Sequence, residues 1–408
     1  MNINRRILQI ALALTERSVH PTETMQPQPL PPFPQTMRAA QGKNYGDIDE
    51  MLTVEVGVPT PRLADIPEKA RKNWAIVRTL AVSLAPGDCR VLSGKTSPLQ
   101  GPPSFPYIPG GDLCGVVHEL PKDAPPDLPF QVGDIVAVMF HEAPRGGLAD
   151  YAAVNTVLCD KVPEGVSHEG AAALGSSGPV AVGLADYIQK GDRVLILGAG
   201  GGVGSHLCQL ARHRGASFVA GVAKDARRLL EAPLSVDEAI DYTKQDPYSL
   251  KKWIENPFDI IIDLSSGGWR RVIGGSKSSG KSSERKGLIV KPAKDGGRFL
   301  TITPDDPMFE AHTMWQILKI FALPAIKRAI RTRTFSRSRL PKYSMAMALP
   351  SKRTNLSRAL KLAGEGKLVP CTNSQHLFPF TTEGVCKAFR LQESRHVKGK
   401  VVIKVADM

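Results

Sequence analysis

The chain has 408 residues, 42% apolar and 23% charged, which is enough to bury a normal core and to form two domains. No apolar run reaches the length of a membrane span. The six cysteines (Cys89, Cys114, Cys159, Cys208, Cys371 and Cys386) show no paired spacing, which fits buried reduced thiols rather than a disulfide framework. The net charge of +14 is uneven: residues 311–364 carry twelve Lys or Arg and no acid, so the rest is near neutral and gives no reason to invoke nucleic acid.

Residues 1–36 differ from the rest of the chain. Arg5, Arg6 and Arg17 surround the apolar run Ile7–Leu14, and "PQPLPPFPQ" then reads as an extended linker. A mitochondrial-type targeting helix and a disordered extension are both open readings, so the location is cytoplasmic or mitochondrial. Residues 37–166 hold short β runs ("WAIVRTLAVSL", "DLCGVVHEL", "DIVAVMF", "DYAAVNTVL") separated by Gly and Pro, which predicts a small all-β, barrel-like unit.

From Ala171 the pattern alternates helix and strand. "AAALGSSGPVAVGLADYI" predicts one helix. "DRVLILGAG", a helix to Arg214, "SFVAGVAK", a further helix, "EAIDY" and "FDIIIDLSS" follow as a βαβ series. This second domain covers 167–350. It includes a polar low-complexity insertion at 275–287, which predicts disorder, and a basic segment at 314–340. "MWQILKIFALPAIKRAIRTRTFSRSRL" starts with large apolar residues and ends Arg-rich. It suits either an anionic membrane surface or a packed helix with a solvated tail, and Pro324 is expected to interrupt it. Residues 351–408 predict two helices and a closing strand.

The stretch "LILGAGGGVGSHLCQLARHRGA" is a strand, a Gly-rich turn and a helix stopped by Gly215. Gly200, Gly201, Gly202, Val203 and Gly204 form the turn in which a dinucleotide pyrophosphate meets free helix N–H groups. An NAD site places an acid at the end of the next strand to bind the ribose 2′-hydroxyl. Here that position is Ala223, followed by Lys224, Arg227 and Arg228, which suits the 2′-phosphate of NADPH. Asp225 as a displaced acid is the alternative.

Together, "SLAPGDCRVLSG", "FPYIPGGDLCGVV", "VGDIVAV", "GGLADYAAV", "GAGGGVGSHLCQLA", "EGKLVP" and "VKGKVVIKV" resemble the medium-chain dehydrogenase/reductase superfamily in its zinc-free, quinone oxidoreductase-like branch. The resemblance covers 37–408 outside the insertion and the basic segment. It implies a GroES-like β-rich catalytic domain plus a Rossmann doubly wound parallel sheet, with 351–408 returning to the catalytic domain. It also implies that Lys224 and Tyr242 hold the 2′-phosphate and that Ser265 lies by the nicotinamide ribose. The zinc-ligand positions of the zinc-dependent relatives fall at Ala85, Gly111 and near Ser176. Cys89 is displaced from them by four residues, and His141–Glu142 reads as a loop pair.

Without zinc to lower an alcohol's pKa, the resemblance implies reduction of a quinone or of a C=C conjugated to a carbonyl. Tyr45, Tyr107 and Tyr343 are candidate proton donors. Ala85-Pro86-Gly87-Asp88 lacks the Asn that the family often carries in "NPxD". Two further readings stay open: an NADPH-binding scaffold or redox sensor, and an enoyl reductase serving a polyketide or fatty-acid synthase. The assembly expected is a monomer or homodimer.

Overall fold

Buried β-branched and leucine runs set the frame of the protein. The computed structural model describes residues 33–97, 101–102, 104–139, 146–274, 288–334, 340–346, 353–373 and 377–408. The expectations for the N-terminal segment up to residue 32, the 275–287 insertion and His141–Glu142 fall outside them.

In chain order, β1 (Thr36–Gly42) and β2 (Leu52–Pro59) form a ribbon. The long β3 (Trp74–Leu84), helix α1 (Pro86–Ser93), β4 (Asp112–Glu119), β5 (Ile135–Met139), β6 (Tyr151–Asn155) and β7 (Cys159–Lys161) come next. Helices α2 (His168–Leu174) and α3 (Ser177–Ala185) lead to β8 (Arg193–Leu197), α4 (Gly202–His213), β9 (Phe218–Ala223), β10 (Glu238–Asp241), β11 (Ile260–Asp263), α5 (Gly268–Gly274) and β12 (Arg298–Thr301). Beyond β12 lie α6 (Met314–Ile317), a π turn (Leu318–Ala322), α7 (Leu323–Thr334) and β13 (Lys342–Met345). The chain then runs through α8 (Arg353–Gly364), β14 (Phe378–Pro379), α9 (Thr382–Glu393) and β15 (Val401–Lys404).

Two larger sheets result. One has the order β14-β15-β3-β4-β5-β7 with β6 on β3, and it is antiparallel apart from β14 on β15. The other, β10-β9-β8-β11-β12-β13, is parallel throughout. It is covered on both faces, so its inner strands β8, β9 and β11 are nearly continuously apolar, while the outer strands β10 and β13 carry polar residues. Val194 and Ile196 of β8 join one core cluster while Leu195 and Leu197 join another on the opposite face. The sheet grows outward from β8 to β10, then resumes at β11 on the other side of β8. That reversal opens a crevice at the carboxyl ends of β8 and β11, where ligands of such sheets bind.

Three local expectations are corrected. The helix predicted from Ala171 is two helices, because Gly175 and Ser176 break it: a Cβ on Gly175 would stand 2.6 Å from the Asp112 Cβ, so the chain passes too close to continue. The helix predicted after β9 is one 3-10 turn, Ala226–Leu230, with Pro233, which has no N–H to donate, close behind. Pro324 does not end its helix. The π turn just before it absorbs the missing donor, and the helical segment runs from Met314 to Thr334. Among the described residues no helix is long and apolar enough to cross a membrane.

Candidate functional site

The register of the parallel sheet brings the turns together. Leu197 lies opposite Val222 on one side and Asp263 on the other, so the turns after β8, β9 and β11 leave the same edge. Gly198 takes φ +82°, and the amides of Gly198 and Ala199 both donate to Val222 O at 3.0 Å, which pins the first turn to β9. Gly204 has no room for a side chain, since a Cβ there would stand 2.7 Å from the Ala199 Cα. Gly202 is covered instead by the stem of Lys400, which a Cβ would meet at 2.6 Å.

Gly201 caps the twelve-residue α4, and there a Cβ would project into space, its nearest neighbour 3.8 Å away. An open space over free helix amides, walled by glycines, fits a dinucleotide pyrophosphate. Gly200 carbonyl accepts from Arg228 Nη2 at 2.6 Å and from the Gly399 amide at 2.9 Å, and Val203 is half-buried against the core.

At the next strand end, Ala223 is followed by exposed Lys224. Half-exposed Tyr242 follows β10, its amide 3.4 Å from Ala223 O. Lys224 and Tyr242 thus flank one corner. Asp225 has its carboxylate on Lys398 Nζ at 2.6 Å, and that hydrogen bond and charge hold its pKa below the ordinary carboxylate value. Ser265 follows β11, where its amide and hydroxyl both donate to Asp263 Oδ1 (2.9 and 3.0 Å), while the Gly268 amide donates to Oδ2 at 2.8 Å. Asp263 therefore shapes the turn that Ser265 occupies.

The antiparallel sheet supplies the other wall. Ala85 caps α1 and donates its amide to Asp88 Oδ2 at 2.7 Å. Ser176 hydroxyl bonds Asp112 Oδ1, and Lys400 Nζ reaches Asp112 Oδ2 at 3.2 Å and Leu84 O at 2.8 Å. A methyl at 85, a hydrogen at 111 and a hydroxyl already bonded at 176 do not make a catalytic zinc donor set, so those three positions do not fit the metal. Cys89 is buried, which pushes its thiol pKa far up, and its sulfur faces Phe389 O at 3.9 Å.

The three tyrosines separate. Tyr45 is 39% exposed, edge-on to Phe105 at 4.9 Å and resting over Gly94. Tyr107 is buried, with its backbone paired both ways to Gly42. Tyr343 is a core residue: it sits on the outer strand β13, enclosed by Trp269 at 4.9 Å and stacked with Phe299 at 6.2 Å. Burial raises its phenol pKa, against the pull of a hydrogen bond to Arg328.

The reading of the sequence missed the side chains that join the two walls. Lys400 and Asp112 lie within motifs that carry the family resemblance, but nothing local pairs positions so far apart. His206 was missed as well. The Cys371 amide donates to its Nε2 at 3.0 Å, which leaves the ring proton on Nδ1, 3.2 Å from Ser177 Oγ, and Ser177 in turn donates to Ala173 O. Gln209, one turn on, clamps Val369 by bonds of 2.8 and 3.0 Å. These two side chains on α4 hold residues 369–371 beside the turn.

Comparison with known proteins agrees with this layout. Residues 71–188 match the alcohol dehydrogenase GroES-like domain and residues 234–403 the zinc-binding dehydrogenase family. The NADPH-dependent alkenal/one oxidoreductase of Arabidopsis thaliana chloroplasts is 30% identical over 67% of this chain and 68% of its own length. The mouse mitochondrial NAD(P)H oxidoreductase RTN4IP1 is 29% identical over 82% of each chain. The Escherichia coli quinone oxidoreductase crystallised with NADPH shares the fold at a TM-score of 0.65, with 17% identity over 90% of this chain and all of its own.

Proposed function

Because the chain belongs to the medium-chain dehydrogenase/reductase superfamily, in its quinone oxidoreductase-like branch, we propose that it is an NADPH-dependent reductase of quinones or of C=C bonds conjugated to a carbonyl, working without zinc. It is an oxidoreductase of the kind its relatives represent; the cofactor preference and the acceptor are our reading. The observation that carries it is the corner after β9, where Ala223 replaces the acid, Lys224 is exposed and Tyr242 stands beside it, while Asp225 is held by Lys398.

In this reading the turn from Gly200 to Gly204 takes the pyrophosphate, Lys224 and Tyr242 take the 2′-phosphate, and Ser265 borders the nicotinamide ribose. When bound, NADPH supplies hydride. The protein contributes position: Gly202 and Lys400 fix the spacing between the two walls, and Asp263 fixes the turn carrying Ser265. Tyr45 is the donor candidate with an exposed ring, suited to hydrogen-bond a substrate oxygen as charge develops there. Conjugated acceptors spread that charge through their own π-system, so the reaction needs no metal at Ala85, Gly111 and Ser176, which offer no ligand set for one.

The test is steady-state oxidation of NADPH and NADH with a panel of quinones, enones and simple alcohols. Turnover of quinones or enones with NADPH, and not of alcohols, supports the reading. Alcohol oxidation at a comparable rate overturns it, and tight NADPH binding without turnover replaces it by a scaffold or sensor.

A further inference from the structure

The segment α6, π turn and α7 has two different faces. Its inner face is docked: Phe321 meets Phe309 edge-on at 5.0 Å, Arg328 Nη1 bonds Asp305 Oδ1 at 2.9 Å, and buried Thr332 hydroxyl bonds Arg328 O at 3.0 Å and Ala329 O at 3.2 Å. Its outer face carries Met314, Trp315, Leu318, Ile326 and Ile330, each between 40% and 60% exposed.

In an uninterrupted α-helix these residues would spiral apart. Each π residue advances the helix less than an α residue does, so the five-residue π turn sets α7 back by about a quarter turn. That rotation brings Ile326 and Ile330 into line with Met314 and Leu318. Lys319, Lys327 and Arg331 border this stripe. None has an ion pair with a described residue, whereas inward-facing Arg328 does. Lys319 lies 5.3 Å from the Trp315 ring.

We infer that this face lies on an anionic lipid surface. Lipid offers both things the face displays: hydrocarbon for the apolar stripe with its interfacial Trp, and phosphate for cations that have no acid of their own anywhere in 311–364. A second copy of the chain fits poorly, since a two-fold contact would set Lys319, Lys327 and Arg331 against themselves. The pairing of Arg328 with Asp305 keeps the helix seated on the sheet, so the face is presented by folded protein and needs no unfolding.

The test is flotation of the full chain with vesicles of phosphatidylcholine alone and of phosphatidylcholine with phosphatidylglycerol in equal parts, at low and high salt. Binding should require the anionic lipid and fall with salt. Trp315 emission should shift to the blue and be quenched by brominated acyl chains, an effect lost in Trp315→Phe. Each cation is worth about fivefold in partitioning, so Lys319→Glu/Lys327→Glu/Arg331→Glu should lose at least about 100-fold. Leu318→Ser/Ile330→Ser should lose the quenching. A thermal midpoint and NADPH oxidation equal to the parent show that these variants are folded.

Equal binding to neutral and anionic vesicles, or no binding at all, overturns the inference. So does full binding by the triple variant, which would place the attraction in another segment. A dimer that Ile330→Ser dissociates, with no vesicle binding, would assign the face to self-association instead.

Discussion

Replacing Lys400 by Met keeps the stem that covers Gly202 and removes only the ammonium. Its partner Asp112 is 1% exposed and Lys400 7%, so neither charge has water to fall back on. The same pair on the surface would be worth no more than about 1 kcal/mol. At this burial, removing one partner strands a carboxylate whose remaining bond is to Ser176 and leaves Leu84 O without its 2.8 Å donor. The expected loss of stability is about 3–5 kcal/mol, with the two penalties overlapping rather than adding. Asp112→Asn alone strands the ammonium and should cost a similar amount. The double variant has no buried charge left and should recover at least half the loss of either single change. Urea unfolding of the four proteins closes the cycle, with NADPH titration as a second readout, because Lys400 packs on the turn assigned to the pyrophosphate. If the single losses add to within about 0.5 kcal/mol in the double variant, the two groups do not work as a pair, and Asp112 is not what holds Lys400 over the Gly202 turn.

Four other outcomes are expected. NADPH should bind at least about tenfold more tightly than NADH, about 1.4 kcal/mol, and Lys224→Ala should erase most of that gap; equal losses for both cofactors in competition titrations would remove the 2′-phosphate assignment. Prolonged treatment with a strong chelator should leave turnover intact and metal analysis should find no stoichiometric zinc, whereas loss restored by added zinc would overturn the reading of Ala85, Gly111 and Ser176. Tyr45→Phe should lower kcat with deuterated NADPH still delivering one deuterium to the enone product, while Tyr343→Phe should cost stability and leave kcat nearly unchanged; the reverse pattern would restore Tyr343 as the donor. Burial, followed by the charge of Lys400, pulls the His206 pKa from 6.5 down to about 3, so the unfolded chain takes up a proton that the folded one refuses. Its contribution to stability is therefore whole above pH 6.5 and lost as pH falls toward 3, by about 1.4 kcal/mol per pH unit, and His206→Gln should flatten that part of the profile of unfolding free energy against pH.

What the amino-acid pattern revealed was local. The turn Gly200–Gly204 is legible because strand, glycines and helix are contiguous, and Lys224 is legible because the strand end that precedes it is. The break at Gly175–Ser176 was not, because its cause is Asp112, some sixty positions upstream, pressing against a backbone that otherwise reads as helix. Pro324 misled for a related reason: a missing donor can be absorbed by widening one turn, and only the packing of Phe321 and Arg328 decides that the helix continues. Tyr343 reads from the sequence only as a candidate proton donor, because Trp269 and Phe299, which enclose it, come from two other elements. Lys400 is the extreme case, since its three contacts come from β3, β4 and the α4 turn.

The return of the chain to its first large sheet has a consequence during synthesis. β15 lies between β14 and β3, and Leu84 lies 316 residues ahead of the Lys400 that bonds its carbonyl. At about 5–20 residues per second, a ribosome leaves that edge of β3 unpaired for roughly 15 to 60 s, an interval in which the whole parallel sheet is also made. Over that interval the carbonyls and amides of Ala81–Leu84 form an open strand edge that any neighbouring nascent chain can join. The parallel sheet is complete at Met345, before the strands that close the wall opposite it. Holding β3 until β15 is made is a task for chaperones at the ribosome, and a premature stop anywhere before residue 401 should send the product to aggregation or proteolysis.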